Sequence, residues 1–404
     1  PATSALLSRP TGVAVSSTGE LFISSWRRVQ KVALDWTIGR AMGNGSHAHS
    51  GDGGQATSAQ LAAPSGLAVG LSREIYVADM FNDRIRRRTT IGQISTVAGG
   101  GNSSANGVSA LQASLSLPSD VDVDGEGNLY IADMGNNKVR KVTNGTISTI
   151  AGTGSAGFSG DGGWATNAMV NQPRSIAVDP SGAVYVADTG NHRVRRIEPD
   201  GSITTIAGNG MAGYSGDGGH ASAAVLNRPS AVELDGVGGL LIADRDNHRV
   251  RRIAPNGTIT TIAGSGAGGF SGDGGQAIAA GVPLPASIAV DEIGTVFVGS
   301  QNRVRRIALN GTIATVAGTG TGGFSGDGGQ AVGARMHSPG GLAVEPGGHL
   351  LLADGGSNRV RRIIEAGSPG GRVQPLTPAR LLDSRDGTGG VANPRGPGAH
   401  PHDE

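Results

Sequence analysis

Residues 173–206 read Pro173-Arg174-Ser175-Ile176-Ala177-Val178, then Pro180-Ser181-Gly182, Val184-Tyr185-Val186-Ala187-Asp188, Thr189-Gly190-Asn191-His192, Val194-Arg195-Arg196-Ile197, Pro199-Asp200-Gly201 and Ile203-Thr204-Thr205-Ile206. Four short runs rich in β-branched residues alternate with Pro-Ser-Gly, Gly-Asn-His and Pro-Asp-Gly turns. β-Branched side chains fit a pleated surface, and Gly, Pro, Asn and Asp supply the dihedral angles of tight turns. The stretch predicts a four-stranded antiparallel meander.

The leading proline recurs at Pro10, Pro64, Pro118, Pro173, Pro229, Pro285 and Pro339, at spacings of 54, 54, 55, 56, 56 and 54 residues. Repeated thin sheets that must stack on their neighbours to bury a core imply an all-β fold. We expect a β-propeller of about seven four-stranded antiparallel blades, with six blades plus a partial repeat as the alternative. Residues 1–366 form the propeller in this reading, and 367–404 a Gly/Pro-rich C-terminal segment. The last repeat runs to Val360-Arg361-Arg362-Ile363, and Arg372 to Leu376 could supply its fourth strand. Pro375 to Arg385 resembles the start of a module that ends bacterial surface proteins.

The repeat is longer than a plain blade, and the surplus lies between the fourth strand and the next proline. There the chain carries Gly157-Phe158-Ser159-Gly160-Asp161-Gly162-Gly163 and then Ala165-Thr166-Asn167-Ala168, which predicts about one helical turn. Copies of Ser-Gly-Asp-Gly-Gly begin at Ser50, Ser159, Ser215, Ser271 and Ser325, whereas the connection from Gly99 to Pro118 lacks the motif.

Of the 404 residues 71 are glycine and none is cysteine, so a disulfide frame, thiolate metal site and thiol nucleophile are excluded. With 33 basic and 32 acidic residues there is no strong net field to draw in nucleic acid. No apolar run is long enough for membrane insertion as a helix.

The unit resembles the NHL repeat family, on the strength of Ala187-Asp188-Thr189-Gly190-Asn191-His192-Arg193 and Ala243-Asp244-Arg245-Asp246-Asn247-His248-Arg249. Weaker copies stand at Asp79 to Arg84, Asp133 to Lys138 and Asp354 to Arg359. The Ser-Gly-Asp-Gly-Gly inserts are similar to the bacterial secreted branch, which implies an extracellular or cell-surface location. The first repeat departs with Ser24-Ser25-Trp26 and the sixth with Gly299-Ser300-Gln301-Asn302.

Residues that recur in every blade read as scaffold, because a unique centre need not recur. The Asp that ends the second strand is expected to accept backbone N–H groups, and the Asn after it to take the left-handed conformation. The Arg-Val-Arg-Arg third strands are expected to pair with turn carboxylates and carbonyls. Phe158, Tyr214, Phe270 and Phe324 read as anchors for the inserts. With Asp161, Asp217, Asp273 and Asp327 they are also candidates to stack and bond a sugar, and the Gly-Asp-Gly loops to hold Ca²⁺, although one Asp per loop supplies too few oxygens.

In a meander the turn after strand two and the connection after strand four leave from the same end, so both are expected on one face. Residues that vary between repeats there are binding candidates: Trp26, Met80, Phe81, Met134, Trp164 and Arg245. His47 and His49 form a metal pair without a third ligand, and Asp122, Asp124, Glu233 and Asp291 are inner-strand acids that do not repeat. No nucleophile elbow or phosphate-cradling lysine motif occurs. The expected function is a monomeric, non-enzymatic scaffold that binds a protein or peptide through the loop face. The alternatives are a multivalent carbohydrate binder and a metal-dependent hydrolase or lyase at the channel mouth.

Overall fold

A computed structural model describes residues 10–16, 20–25, 28–32, 38–42, 48–70, 72–323, 325–326, 329–337, 339–344, 349–354, 359–364 and 372–375. The strands form antiparallel sheets in consecutive order, six of four strands and one of five. Blade 4 shows the plan, with strands Pro173–Val178, Val184–Asp188, Arg193–Ile197 and Ile203–Ala207. The innermost strand of each blade begins at the repeat proline. Strand Pro10–Val15 lies against both Pro64–Val69 and Pro339–Val344, so the inner strands close a ring around a channel. In the last repeat the strand Arg372–Pro375 pairs with Arg359–Ile364 as the fourth strand.

The blades hold one another. One core cluster joins Ala187, Val194 and Ala207 of blade 4 to Val232, Leu240 and Ile242 of blade 5. Each such fully buried Val, Leu or Ile contributes about 1.5–3 kcal/mol, and the cluster forms only where two blades meet. The short helical turn expected in the connections is a 3-10 turn, as at Ala165–Asn167, whose Ala165 is fully buried.

The expectation of four strands per blade fails in blade 3, where Val108–Ser109 pairs with Thr146–Ala151 at the outer edge. Blades 2, 4, 5 and 6 have a shorter version of the same cover. Gly162 N donates to Ile203 O at 2.8 Å, and Ile203 N donates to Gly163 O at 3.0 Å. Each of these inserts therefore lies along the outermost strand of its blade and satisfies backbone groups that an open sheet edge would expose to other chains.

This placement corrects the single loop face. The insert runs the length of the strand edge: Phe158 sits beside Arg193, at the start of the third strand, while Trp164 bridges to Ser202 beyond its far end. The connection does leave from the same end as the Asn-His turn, but the edge hydrogen bonds draw it away across the rim. Trp26, Phe324 and Asp327 lie outside the described residues.

Candidate functional site

Two different sets of side chains emerge, one built by the repeat and one by departures from it. The repeated set centres on the middle arginine of the third strand in blades 2 to 7; blade 1 has Gln30 there. Arg86, Arg195, Arg251 and Arg305 are essentially fully buried. Arg195 Nη2 meets Asp161 of the insert at 2.7 Å and donates to Ser159 O at 3.1 Å, while Nη1 donates to Met169 O at 3.2 Å. Asp188 lies 3.7 Å away on the other side. Arg86 with Asp52, Arg251 with Asp217 and Arg305 with Asp273 repeat the pairing at 2.7, 2.5 and 2.6 Å. The candidate sugar or calcium carboxylates Asp161, Asp217 and Asp273 are thus bound to arginine.

The aromatic residues share that arrangement. The Arg193 guanidinium lies 3.7 Å from the Phe158 ring centroid, Arg249 3.4 Å from that of Tyr214 and Arg303 3.5 Å from that of Phe270. Cation–π contact anchors the insert, which supports the anchor reading of these rings.

The Asp that ends the second strand behaves as expected: Asp188 accepts from Asn171 N at 2.7 Å and Asp244 from Asn227 N at 2.7 Å. Burial pushes both carboxyls up to about 6, against the hydrogen bonds that favour the charged form. The left-handed residue is not the Asn, however, but the one after it, with φ of 55° at His192 and 56° at His248. Asn191 instead spends its amide on Asp188 and Gly157 O, at 2.8 and 2.6 Å. A side-chain bridge between turn and insert required a closer partner than the backbone geometry alone.

The unrepeated set surrounds the channel. A cavity of about 840 Å³ at the Asn-His-turn end is lined by Met80, Met134, Arg174, Asp120, Glu233 and Ser287, among others. Phe81, which follows Met80 in the same turn, is 48% exposed. The charges of Arg228 and Arg245 bear on Arg174, and Asp246 lies 2.9 Å from Arg245 and 3.9 Å from Arg228. Deeper in the channel Asp122 joins Asp120 and Glu233. Asp120 accepts from Val121 N and Ile176 N, and Asp122 from Val123 N and Val178 N, so each carboxylate ties blade 3 to blade 4.

Burial, with the Asp122 charge added, pushes Asp120 up to about 7 against its backbone hydrogen bonds. Burial followed by the charges of Asp122 and Asp120 pushes Glu233 up to about 7. Asp124 and Asp291 are elsewhere: each caps the turn after its inner strand, accepting from Asn128 N and Thr295 N respectively. Among the described residues, no group of three His, Asp or Glu side chains is placed to share a metal ion.

Within the meander of blade 4, residues 170–197 match the family model described as NHL repeat. The chain is an NHL-repeat β-propeller. The NHL propeller is 31% identical over 407 residues to human Teneurin-1, covering 89% of this chain, and 29% identical over 379 residues to mouse Teneurin-4, covering 81%. It spans only 14% and 13% of those proteins' lengths. Among solved structures it superposes on a streptogramin B lyase with a TM-score of 0.57 at 12% identity, covering 89% of this chain and 94% of that one. An auxiliary nutrient binding protein from Bacteroides thetaiotaomicron gives 0.53 at 15% identity, covering 80% and 74%. At these identities the two structures share the fold.

The candidate residues of the NHL propeller therefore separate. Met80, Phe81 and Arg245 belong to turns at the channel mouth, with Arg245 beside Arg174. Phe158, Tyr214, Phe270 and their aspartates belong to the rim. Trp164, 65% exposed, rests against Gly201 near the opposite end. Sequence reading missed Arg174 and Asp120, although both break the repeat: Ser65, Ser119 and Ser230 stand where blade 4 has Arg174, and Gly12, Gly66 and Gly341 stand where blade 3 has Asp120.

Proposed function

We propose that the NHL propeller is an extracellular binding scaffold, acting as a monomer, that docks a protein or peptide partner at the channel mouth on the Asn-His-turn end. The observation that carries this reading is the coincidence of Met80, Met134 and Arg174 around one cavity on an otherwise repetitive ring. A rigid scaffold that varies only in its turn residues presents a distinct surface without altering the fold. The resemblance to the secreted branch of the family supports the location.

The test is selection of peptides from a displayed library, followed by titration against two sets of variants. Phe81→Ser and Arg245→Glu are expected to weaken a selected peptide at least tenfold. Leu309→Ser and Ile293→Ser, in turns at the opposite end, are expected to leave it within twofold. The reverse pattern would move the docking surface to the other end.

A second reading, a hydrolase or lyase at the channel mouth, is favoured by Asp120 and Glu233. Carboxyls held near 7 suit general acid–base chemistry at neutral pH. One neighbour is a virginiamycin B lyase from Staphylococcus aureus, crystallised with quinupristin. Incubation of the purified chain with quinupristin tests it. Turnover lost in Glu233→Gln would establish the reading, and an unchanged substrate would remove it.

A further inference from the structure

The channel wall obeys a simple rule that three adjacent blades break together. At the fourth residue after each repeat proline the chain has Ala14, Ala68, Ala177, Ala289 and Ala343, but Asp122 in blade 3 and Glu233 in blade 5. Nearer the mouth, blade 3 has Asp120 where three blades have Gly, and blade 4 has Arg174 where four blades have Ser or Thr and two have Ala or Gly. A repeat preserves what stacking requires, so departures that converge on one cavity mark something other than stacking.

The charges there are separated by sign. Among the described residues, the charges that bear on Glu233 are the like charges Asp122 and Asp120, and those that bear on Arg174 are the like charges Arg245 and Arg228. Arg174, Glu233 and Asp120 nevertheless line the same cavity. Among the described residues, Asp246 pairs with Arg245 and Arg228 at the mouth, and Arg174 has no ion pair. Ser287, buried in the wall of the same cavity, has a hydroxyl without a hydrogen-bond partner, whereas Ser65, Ser119 and Ser230 each donate to a neighbouring blade's carbonyl. A ligand that brought a cation to the acidic level and an anion to the arginines would relieve both groups at once.

We infer that this cavity is a site for a short peptide in its zwitterionic form, its ammonium group taken by Glu233, Asp120 and Asp122 and its carboxylate by Arg174, Arg228 and Arg245. Ser287 adds a hydrogen bond to the peptide backbone. The site rests on the docking reading, with which it shares Arg245 and the channel-mouth cavity, and it names the terminal groups that the cavity takes.

Calorimetric titration with trialanine, N-acetyl-trialanine and trialanine amide tests the site. Trialanine is expected to bind saturably, and blocking either terminus to weaken it at least tenfold. Glu233→Gln should bind the acetylated and free peptides within threefold of each other, and Arg174→Gln should do the same for the amide, with melting temperatures confirming that both variants fold. Three peptides of equal affinity, or no saturable binding of trialanine, would overturn the site. If Phe81→Ser still weakens a selected docking peptide in that event, the docking surface survives without it.

Discussion

Asp161 meets Arg195 at 2.7 Å, a partly exposed carboxylate on the insert against a fully buried guanidinium on the third strand. The contact fastens the connection leaving blade 3 to the body of blade 4. Removing one member of a pair whose other member is buried leaves an uncompensated charge. Asp161→Ala is expected to cost about 2 kcal/mol in urea unfolding, less than a fully buried pair because water reaches the carboxylate. A loss below about 0.5 kcal/mol, as for an exposed pair, would show that the loop carbonyls alone satisfy Arg195.

Blade 3 contains the natural converse. Gly107 N donates to Ile147 O as Gly53 N donates to Ile94 O, which aligns Asn106 with Asp52. Asn106 accepts from Thr149 N at 2.7 Å but brings no charge, and the buried Arg140 keeps Asp133 at 3.6 Å while its Nη2 lacks a partner. Asn106→Asp is expected to stabilise the protein by about 1 kcal/mol through a charge-assisted hydrogen bond. A lower unfolding midpoint would mean that the insert of blade 3 cannot bring a carboxylate to Arg140.

Two glycines of similar φ separate backbone strain from steric contact. At Gly208, φ 90°, an added Cβ would lie 2.4 Å from His192 O, whereas at Gly218, φ 82°, it would meet nothing within 4 Å. Left-handed backbone costs a non-glycine residue roughly 1–2 kcal/mol. Gly218→Ala should lose about that much, and Gly208→Ala about 3 kcal/mol or more, because the neighbouring carbonyl must also shift. Equal losses in thermal unfolding would show that the outer edge yields freely.

The channel carboxyls set a pH dependence. Asp120 and Glu233 rise from ordinary values of 3.8 and 4.5 to about 7 in the fold, first through burial. Between about pH 4 and 7 the native state therefore binds more protons than the unfolded one, and stability falls as pH rises through that window. Their stabilising contribution is fully present below the unfolded values and is lost above about 7. The melting temperature of Glu233→Gln is expected to fall less steeply from pH 5 to 7 than that of the parent chain. Parallel profiles would place the titrating groups outside the channel.

Much of this was legible because the repeat states it many times. Pro173 to Ile206 announces strand and turn by residue type, and six further prolines repeat it at nearly constant spacing. The role of Asp188 followed from its place at a strand end. The insert was harder to read. Phe158 and Asp161 are as compatible with a sugar as with an arginine until Arg193 and Arg195 are seen beside them, some 34 residues away along the chain. The stand-in of Asn106 for an aspartate was invisible in the motif Ser-Gly-Asp-Gly-Gly and clear only from the hydrogen bonds of Gly107.

The amino-acid order alone determined the meander, the period and the need for blades to stack, since each depends on local turn chemistry and on alternation along a single strand. Tertiary structure decided which insert covers which edge, that the middle arginines are buried, and that Arg174, Asp120 and Glu233 face one cavity. Those relationships join residues roughly one or two blades apart, and they exist only because the ring brings strands from different repeats to a common axis.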